Sequence, residues 1–201
     1  MPGEVIKSFS APGGNCQGIT FDGSYFWIGD NATDLIYQVD LDGNVIGSFA
    51  SGHLNPQGLA FDGKCLWLCD AFSNTINKHD LDGNVIRSFG SPGVSPLGLA
   101  FDGKCLWNAD GNADLIYQLD LGGNVIRSFG SPGGGPRGLA FDGKYLWNAD
   151  SGTDLIYQLD LDGIDIASIS APGDYPRGLA FDGKYLWNAD SGTDLIYQIA
   201  R

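Results

Sequence analysis

The sequence predicts an all-β protein: a closed five-bladed β-propeller with four antiparallel strands in every blade. Three observations predict this fold. A 40-residue repeat fills the chain, each repeat holds four strand-like segments, and the two chain ends supply complementary parts of one blade. Many short, evenly spaced strands with a recurring aromatic motif are typical of propellers. We expect residues 1–201 to form one domain, with residues 5–9 closing the ring.

The repeat is defined by two features that recur at the same interval. Five Phe-Asp-Gly triplets and five tryptophans each repeat every 40 residues. The triplets begin at Phe21, Phe61, Phe101, Phe141 and Phe181, and the tryptophans are Trp27, Trp67, Trp107, Trp147 and Trp187. Five units of 40 residues occupy 200 of the 201 residues, which leaves no sequence for a second domain.

Four strands are predicted within each unit. In the fourth unit the apolar runs are Gly138–Phe141, Tyr145–Ala149 and Leu155–Leu159, and the third unit shows the last run most clearly, at Val125–Phe129. Asp-Gly dipeptides separate several of these runs. They favour tight hairpin turns, because both central residues of a type I′ turn need positive φ. Apolar residues at helical spacing are absent, so we expect no helices.

The chain ends predict how the ring closes. Val5–Phe9 matches Val85–Phe89, the last strand of a unit, while the fifth unit stops at Arg201 before its own last strand. We therefore expect Val5–Phe9 to pair with Leu195–Ile199 and complete the fifth blade. This closure removes an open sheet edge and fixes both termini.

Packing between blades predicts which residues are buried. Each blade has neighbours on both faces, so its strands should be apolar on both sides, as Leu155–Tyr157 is. Trp147 and its equivalents are expected to fill the core between blades and not to act as platforms for sugar rings. Cys65 and Cys69 lie ~13 Å apart along one strand at ~3.3 Å per residue, too far to bridge each other. We expect the cysteines to be buried free thiols.

Composition excludes several classes of partner. The chain has 11 Lys and Arg against 24 Asp and Glu, a net charge of −13, whereas nucleic acids and anionic membranes require a basic surface. No apolar run approaches the ~18 residues that span a bilayer. The opening segment MPGEVIKSFS lacks the apolar stretch of a signal peptide. The compartment is left open, with the cytoplasm slightly favoured by the free cysteines.

The order of residues in a unit resembles the NHL repeat and related bacterial propeller repeats. That pattern runs Pro-x-Gly-apolar-Ala-x-Asp, a tight turn, a strand ending Ala-Asp-Ser-Gly, then Ile-x-x-apolar-Asp, Asp-Gly and a strand ending Phe-Gly. The residues that follow it are Pro136, Gly138, Ala140, Asp142, Ala149, Asp150, Ser151, Gly152, Ile156, Asp160 and Gly163, with Phe129 and Gly130 one unit earlier. The resemblance implies a propeller and no particular activity. NHL propellers usually have six blades, and Asp154 stands where their binding members often carry arginine.

Two further resemblances are weaker. The segment Gln17–Gly23 and the turn Asp40–Gly43 are similar to five-bladed glutamine cyclotransferases, which implies an acid/base glutamate in the central cavity. The single glutamate of this chain, Glu4, is predicted on the closing outer strand. The resemblance therefore fails at the catalytic residue. Five-bladed lectins share the blade number and bind through repeated sites, but no lectin motif is matched.

Strand direction predicts two faces with different roles. The turns at Asp142–Gly143 and Asp162–Gly163 lie on one face, and the loops at Asp150–Asp154 and Gly130–Arg137 lie on the other. The units differ most in the loop before the first strand, on the second face. Variation confined to one rim is what a binding surface on a rigid scaffold tolerates, although drift of unconstrained loops would produce it too.

Two groups on that face are candidates for ligand binding. A ring of carboxylates could hold Ca²⁺, another hard cation or a polyhydroxylated ligand, or could cap turns through backbone N–H groups. The carboxylates are Asp30, Asp34, Asp70, Asp110, Asp114, Asp150, Asp154, Asp190 and Asp194. Arg137, Arg177 and Tyr175 form a local asymmetry beside the predicted channel mouth that suits an anionic group.

These observations favour a non-enzymatic binding or scaffold module, a monomer whose partner is a small molecule, glycan or peptide. Recent duplication of one blade, or deliberate construction, accounts for the near-identical units. One alternative is a lectin-like multivalent glycan binder; the other is a cyclotransferase- or lyase-like enzyme, disfavoured by the missing glutamate. The only histidines, His53 and His79, have no Ser or Cys partner in a recognisable catalytic motif. No catalytic residue and no cofactor other than Ca²⁺ is predicted.

Overall fold

The computed structural model describes all 201 residues, and its regular structure is entirely β. Twenty strands form five separate four-stranded antiparallel sheets, which confirms the predicted architecture. In chain order the strands are β1 Val5–Ser10, β2 Cys16–Phe21, β3 Phe26–Asp30, β4 Leu35–Val39, β5 Val45–Ala50, β6 Pro56–Phe61, β7 Leu66–Asp70, β8 Thr75–His79, β9 Val85–Gly90, β10 Pro96–Phe101, β11 Leu106–Asp110, β12 Leu115–Leu119, β13 Val125–Gly130, β14 Pro136–Phe141, β15 Leu146–Asp150, β16 Leu155–Leu159, β17 Asp165–Ser170, β18 Pro176–Phe181, β19 Leu186–Asp190 and β20 Leu195–Ile199. No helix of the kind that crosses a membrane is present.

Each sheet is one blade, and the blades form a closed ring. Blades 1 to 4 are β2–β5, β6–β9, β10–β13 and β14–β17, and blade 5 consists of β18–β20 with β1. The first strand of each blade lies innermost. These inner strands contact one another in sequence around the ring, and β18 of blade 5 returns to contact β2 of blade 1.

The N-terminal strand closes the ring through the predicted pairing, with one register shift between Val5 and Lys7. Val5 pairs with Ile199, Phe9 with Ile196 and Ser10 with Leu195, so β1 is the outer strand of blade 5. The backbone N–H of Gly3 donates to the carbonyl of Ala200 at 2.7 Å, which extends the pairing beyond the strand. The Phe9 ring packs between blades, 5.9 Å from the Trp187 ring.

The tryptophans lie in the core between blades, as predicted, with at most 3% of their surface exposed. Trp187 of blade 5 packs against Phe26 of blade 1, with ring centroids 4.6 Å apart. Each indole N–H donates to the aspartate of the Phe-Asp-Gly turn in its own blade; for Trp147 and Asp142 the distance is 2.9 Å. This bond explains the fixed spacing between the turn and the tryptophan.

The outer strands carry apolar residues, as expected, but these residues are not covered by neighbouring blades. Val45 and Ile46 of β5 are 51% and 54% exposed, and the equivalent apolar residues of the other outer strands are similarly open to solvent. Packing between blades therefore covers the inner three strands of each blade and leaves the faces of the outer strand partly open to solvent. A β-bulge interrupts the pairing of each outer strand with its neighbour, which twists this open edge.

Candidate functional site

Five glycines narrow the central channel near the middle of the inner strands. A Cβ on Gly98 would lie 1.9 Å from the Arg137 carbonyl oxygen, and one on Gly138 would lie 2.1 Å from that of Arg177. The five positions are Gly18, Gly58, Gly98, Gly138 and Gly178. Neighbouring inner strands approach so closely here that no side chain fits, which is the physical reason for glycine in the Pro-x-Gly motif.

The channel is apolar on the side of the hairpin turns. A cavity of about 100 Å³ is lined by Thr20 and thirteen hydrophobic residues from the ends of the five inner strands. Thr20 is the only polar side chain in this lining. Within the channel, this end offers no charged side chain to a polar ligand.

The opposite end is formed by the residue that precedes each channel glycine. We call these five residues the mouth ring: Gln17, Gln57, Leu97, Arg137 and Arg177. They occupy equivalent positions in sheets whose inner strands β14, β18 and β2 are neighbours, so Arg177 stands between Arg137 and Gln17. The mouth ring is thus cationic in blades 4 and 5, amide-lined in blades 1 and 2, and apolar in blade 3.

Each of the two arginines is held by a serine of its own blade, and the buried carboxylates Asp150 and Asp190 stabilise their charges without direct contact. Nε of Arg137 donates to Oγ of Ser151 at 3.0 Å, and Nε of Arg177 donates to Oγ of Ser191 at 3.0 Å. Neither guanidinium forms a salt bridge, unlike Arg127 with Asp162. Partial burial lowers the pKa of both groups, and for Arg137 the adjacent positive charge of Arg177 lowers the pKa further.

The amide half of the mouth ring is bonded to nearby asparagines. The side-chain amide of Gln17 donates to Asn15, and that of Gln57 donates to Asn55. Asn31 of blade 1 also donates to Asn55, which links blades 1 and 2 across the rim. Both glutamines are more than nine-tenths buried, so this half is a fixed neutral surface beside the cationic one.

Five predicted carboxylates are buried beneath the rim and engaged by the protein itself. Asp150 is fully buried; one oxygen accepts from the backbone N–H groups of Gly152 and Thr153, and the other accepts from Gly135. The equivalent residues in the same situation are Asp30, Asp70, Asp110 and Asp190. A cation at these oxygens would have to displace the bonds that shape the loops. The turn-capping alternative accounts for their burial.

The second set of carboxylates has a backbone role. Asp34, Asp114, Asp154 and Asp194 adopt φ of 53–56°, and Asn74 occupies the same position in blade 2 at 55°. Asp and Asn tolerate this left-handed conformation better than other residues with side chains. The left-handed backbone conformation at position 154 therefore explains why this residue is an aspartate. No group of three or more His, Cys, Asp or Glu side chains is arranged to hold a metal ion.

Tyr175 and the four cysteines complete the set of residues considered from the sequence. Tyr175 is 54% exposed on the rim, and its backbone N–H donates to Asp190 at 3.0 Å, which places it beside Arg177 in blade 5. All four cysteines are free and buried, as predicted. Burial raises the pKa of the Cys16 and Cys69 thiols to about 12, so both are protonated and unreactive at neutral pH.

Sequence reasoning found the two arginines but missed the residues that position them. Ser151 and Ser191 accompany arginine in blades 4 and 5, whereas Gly111 accompanies Leu97 in blade 3. A Cβ at Gly111 would lie 2.3 Å from the Leu97 side chain, so the two positions are in contact there as well. The sequence signal that could have revealed this contact is that the two positions change together from unit to unit: arginine occurs with serine, and leucine occurs with glycine.

The fold and the mouth ring define a five-bladed β-propeller protein with a polar, asymmetric channel mouth. The Myxococcus xanthus glutaminyl cyclase structure is similar, with a TM-score of 0.83 and 14% identity over 99% of this chain and 97% of that one. A Staphylococcus aureus virginiamycin B lyase bound to quinupristin has a TM-score of 0.60 and 22% identity over 96% and 68%. A structure of the nidogen/laminin complex gives 0.66 and 22% over 87% and 72%. Identities this low establish the propeller fold alone.

No protein-family model matches the sequence, and no curated protein matches it.

Proposed function

We propose that this chain is a non-enzymatic binding module, built from an amplified NHL-like blade, that captures a small molecule or peptide carrying an anionic group at the mouth ring. One observation carries the proposal. Arg137 and Arg177 place two partly buried guanidinium groups at neighbouring positions without a carboxylate partner, in a chain of net charge −13. The positive charge of Arg177 disfavours that of Arg137, and a bound anion would relieve this repulsion more than Asp150 does from beneath the rim.

The geometry suits a planar oxyanion. Each arginine uses Nε on its serine, so the Nη donors of both groups stay available for a ligand. Guanidinium groups bind carboxylate or phosphate in a bidentate way, with charge-assisted hydrogen bonds stronger than neutral ones. Gln17, beside Arg177, adds a neutral polar group suited to the uncharged part of the same ligand.

A non-enzymatic role is supported by the position of the single glutamate. Glu4 precedes β1 at the outer edge of blade 5, where its carboxylate accepts from the N-terminal amine of Met1. It lies outside the channel lining and outside the mouth ring. The tryptophans do not support the lectin alternative, because their rings are buried between blades and no ring face is exposed to bind a sugar.

The test uses short peptides as probes, each prepared with a free and with an amidated C-terminus. We expect free-acid peptides to bind and their amidated partners to bind at least 10-fold more weakly. Arg137→Gln and Arg177→Gln should each weaken free-acid binding about 10- to 100-fold, the effect of losing a charged hydrogen bond of about 1.5–3 kcal/mol. Arg87→Gln, on the exposed outer strand β9, is the matched control and should change nothing.

Three outcomes would contradict the proposal: equal binding of both peptide forms, unchanged binding by both mouth variants, or no binding of any anionic probe. A glycan array probed with Ca²⁺ present addresses the lectin alternative separately. If the chain turned over a substrate, and the Arg137→Gln and Arg177→Gln variants kept that activity, the activity would lie outside the mouth ring.

A further inference from the structure

The gaps between neighbouring blades hold a recurring cation on the side of the hairpin turns. Between blades 3 and 4, the guanidinium of Arg127 lies 5.5 Å from the centre of the Trp107 ring and forms a salt bridge with Asp162 of the next blade. Nε of Arg127 also donates to Oε1 of Gln118 at 2.8 Å. An aromatic face, a carboxylate and an amide oxygen together suit a guanidinium group.

The other gaps show how general this arrangement is. Between blades 5 and 1, Nζ of Lys7 lies 5.5 Å from the centre of the Trp187 ring and 3.6 Å from the Asp42 carboxylate. Cations also occupy the gaps between blades 2 and 3 and between blades 4 and 5: Lys78 and Arg201. Four of the five gaps therefore contain a cation that the chain itself supplies.

The gap between blades 1 and 2 keeps the surroundings of the cation and lacks the cation. Trp27, Gln38 and Asp82 stand at the positions of the ring, the amide and the carboxylate that hold Arg127 in its own gap. Gly47 stands at the arginine position, and it pairs with Gln38 as Arg127 pairs with its glutamine. A Cβ on Gly47 would meet only Oε1 of Gln38, at 3.9 Å, so a side chain has room here.

The glycine leaves a groove of about 250 Å³ that is open to solvent. Its lining consists of Trp27, Gln38, Gly47, Ser48, Phe49, Leu81 and Asp82. The Phe49 ring lies 5.9 Å from the Trp27 ring, close to the 5.8 Å between the equivalent rings of blade 3, so the apolar frame is the same in both gaps. The Asp82 carboxylate forms no salt bridge, whereas its equivalents Asp42 and Asp162 each do.

We propose that the groove between blades 1 and 2 binds the arginine side chain of a partner peptide, with the guanidinium placed among Trp27, Gln38 and Asp82. The arginine of blade 3 is the template for this occupant, and a chain of net charge −13 attracts cations. Cation–π contacts and ion pairs near solvent are individually weak, so we expect a dissociation constant of about 1–10 mM for a single arginine. The groove lies on the side of the hairpin turns, away from the mouth ring, and the inference does not depend on the proposed function.

The test follows the indole N–H resonance of Trp27 by nuclear magnetic resonance while N-acetyl-arginine amide is titrated into the native chain. This probe has no carboxylate, so the mouth ring does not contribute to its binding. We expect a saturable shift of the Trp27 resonance and no saturable shift with N-acetyl-citrulline amide, which has a similar shape without the charge. If n-butylguanidinium shifted the resonance and the arginine probe did not, the occupant would be a small guanidinium compound and the peptide proposal would be overturned.

Three variants complete the experiment. Gly47→Arg supplies the side chain found in blade 3, so it should weaken binding of the arginine probe about 10-fold or more. Asp82→Asn should weaken binding about 2- to 5-fold, the effect of losing an exposed ion pair. Asp42→Asn removes the equivalent carboxylate from the gap already filled by Lys7, and it should bind the probe like the native chain.

Two of the measurements can overturn the proposal without any variant: an unshifted Trp27 resonance, or equal shifts with the arginine and citrulline probes. Native affinity in folded Gly47→Arg, with folding checked by circular dichroism, would overturn it as well, because the probe would then bind outside the groove.

Discussion

At the scale of single residues, each tryptophan of the repeat has two structural roles, one in packing and one in hydrogen bonding. The ring of Trp107 is fully buried between blades 3 and 4, and its N–H donates to Asp102 at 2.8 Å. The same side chain thus fixes a hairpin turn and fills the space between sheets. The repeat retains Trp at all five positions, while less constrained positions such as Cys65 and Cys105 differ from Tyr145.

Replacement of Trp107 by alanine should therefore be costly. We expect Trp107→Ala to lower the free energy of unfolding by about 3–5 kcal/mol, because it leaves a large cavity and removes the indole hydrogen bond to Asp102. Val125→Ala, at a residue that is 51% exposed on β13, should cost less than about 1 kcal/mol. Urea denaturation at pH 7 measures both. Similar losses for the two variants would contradict the assignment of the core.

The buried histidines predict a pH dependence of stability. Burial lowers the pKa of His79 and His53 in the folded state below the value of about 6.5 in the unfolded chain. The stability linked to them is therefore present above pH 6.5 and is lost as the pH falls through the lower, folded-state values. Asp70, which faces His53, and Asp80, near His79, oppose this effect in part.

This pH dependence can be measured by urea denaturation. We expect the urea midpoint of the native chain to fall more between pH 7 and pH 5 than that of His79→Leu. The two chains share all their carboxylates, so the difference isolates the histidine. Identical pH profiles would show that His79 titrates alike in the folded and unfolded states.

At the scale of elements, the inner strands are constrained by close approach more than by side-chain packing. Gly138→Ala would place a Cβ 2.1 Å from the Arg177 carbonyl oxygen, and the next nearest atoms are also backbone atoms of β18, which cannot rotate away as a side chain would. We expect a loss of about 3 kcal/mol or more in the free energy of unfolding.

Gly134→Ala is the matched control for that substitution. Gly134 lies two residues before the inner strand β14, and a Cβ there would meet nothing within 4 Å. This change should be neutral or stabilising by about 0.4–1 kcal/mol, through the entropy of the unfolded chain. Thermal unfolding followed by circular dichroism compares the two. Equal effects would mean that the inner strands can separate to admit side chains.

The elements were largely predictable because their signals are local. The run Leu155–Leu159 and the Asp-Gly turns determine strands through residues close in sequence, and Leu155–Leu159 matches β16 at both ends. The start of β14 at Pro136, two residues before the predicted Gly138, was not predictable. Proline has no N–H to donate to a neighbouring strand, so its presence does not by itself indicate that an inner strand begins there. The register shift after Pro136 also depends on the pairing with β15.

The site was less predictable because its contacts cross between elements. Arg137 was identified from variation between units, but its bond to Ser151 spans 14 residues and depends on how β14 and β15 pair. The contact of His53 with His79, whose ring centroids are 5.5 Å apart, joins the loop before β6 to the end of β8. Sequence spacing alone does not place such residues together, since the twist of each sheet decides which side chains meet.

At the scale of the whole molecule, five nearly equal blades support one asymmetric rim. Asp142 and Trp147 have equivalents in every blade, whereas the mouth ring changes from arginine to glutamine to leucine around the axis. Symmetry in the blades gives a rigid ring, and departure from symmetry in the mouth places one arginine pair on it in place of five equal positions. Under the proposed function, this arrangement favours one ligand per molecule over multivalent binding.

Ring closure by β1 predicts that deletion of the N-terminal segment strongly destabilises the fold. Removal of residues 1–10 eliminates the pairing of β1 with β20 and the Phe9 ring that packs 6.4 Å from Phe26 of blade 1. It also leaves the edge of β20 open for pairing with other chains. We expect the shortened chain to be unfolded or to self-associate at 25 °C, as measured by circular dichroism and size-exclusion chromatography. A monomer of native thermal stability would contradict ring closure.

A circular permutant separates the loss of pairing from the loss of a terminus. Glu4 and Ala200 are hydrogen-bonded through their backbones at 2.9 Å, so a short Gly-Ser linker can join Arg201 to Met1. A chain that begins at Ala11 and carries residues 1–10 after this linker holds every native strand, now with β1 following β20 as a hairpin. Its unfolding free energy should lie within about 1 kcal/mol of the native value, because the folded contacts are the same and only loop entropy differs. If the permutant were as unstable as the shortened chain, a free N-terminus rather than the closing strand would hold the ring together.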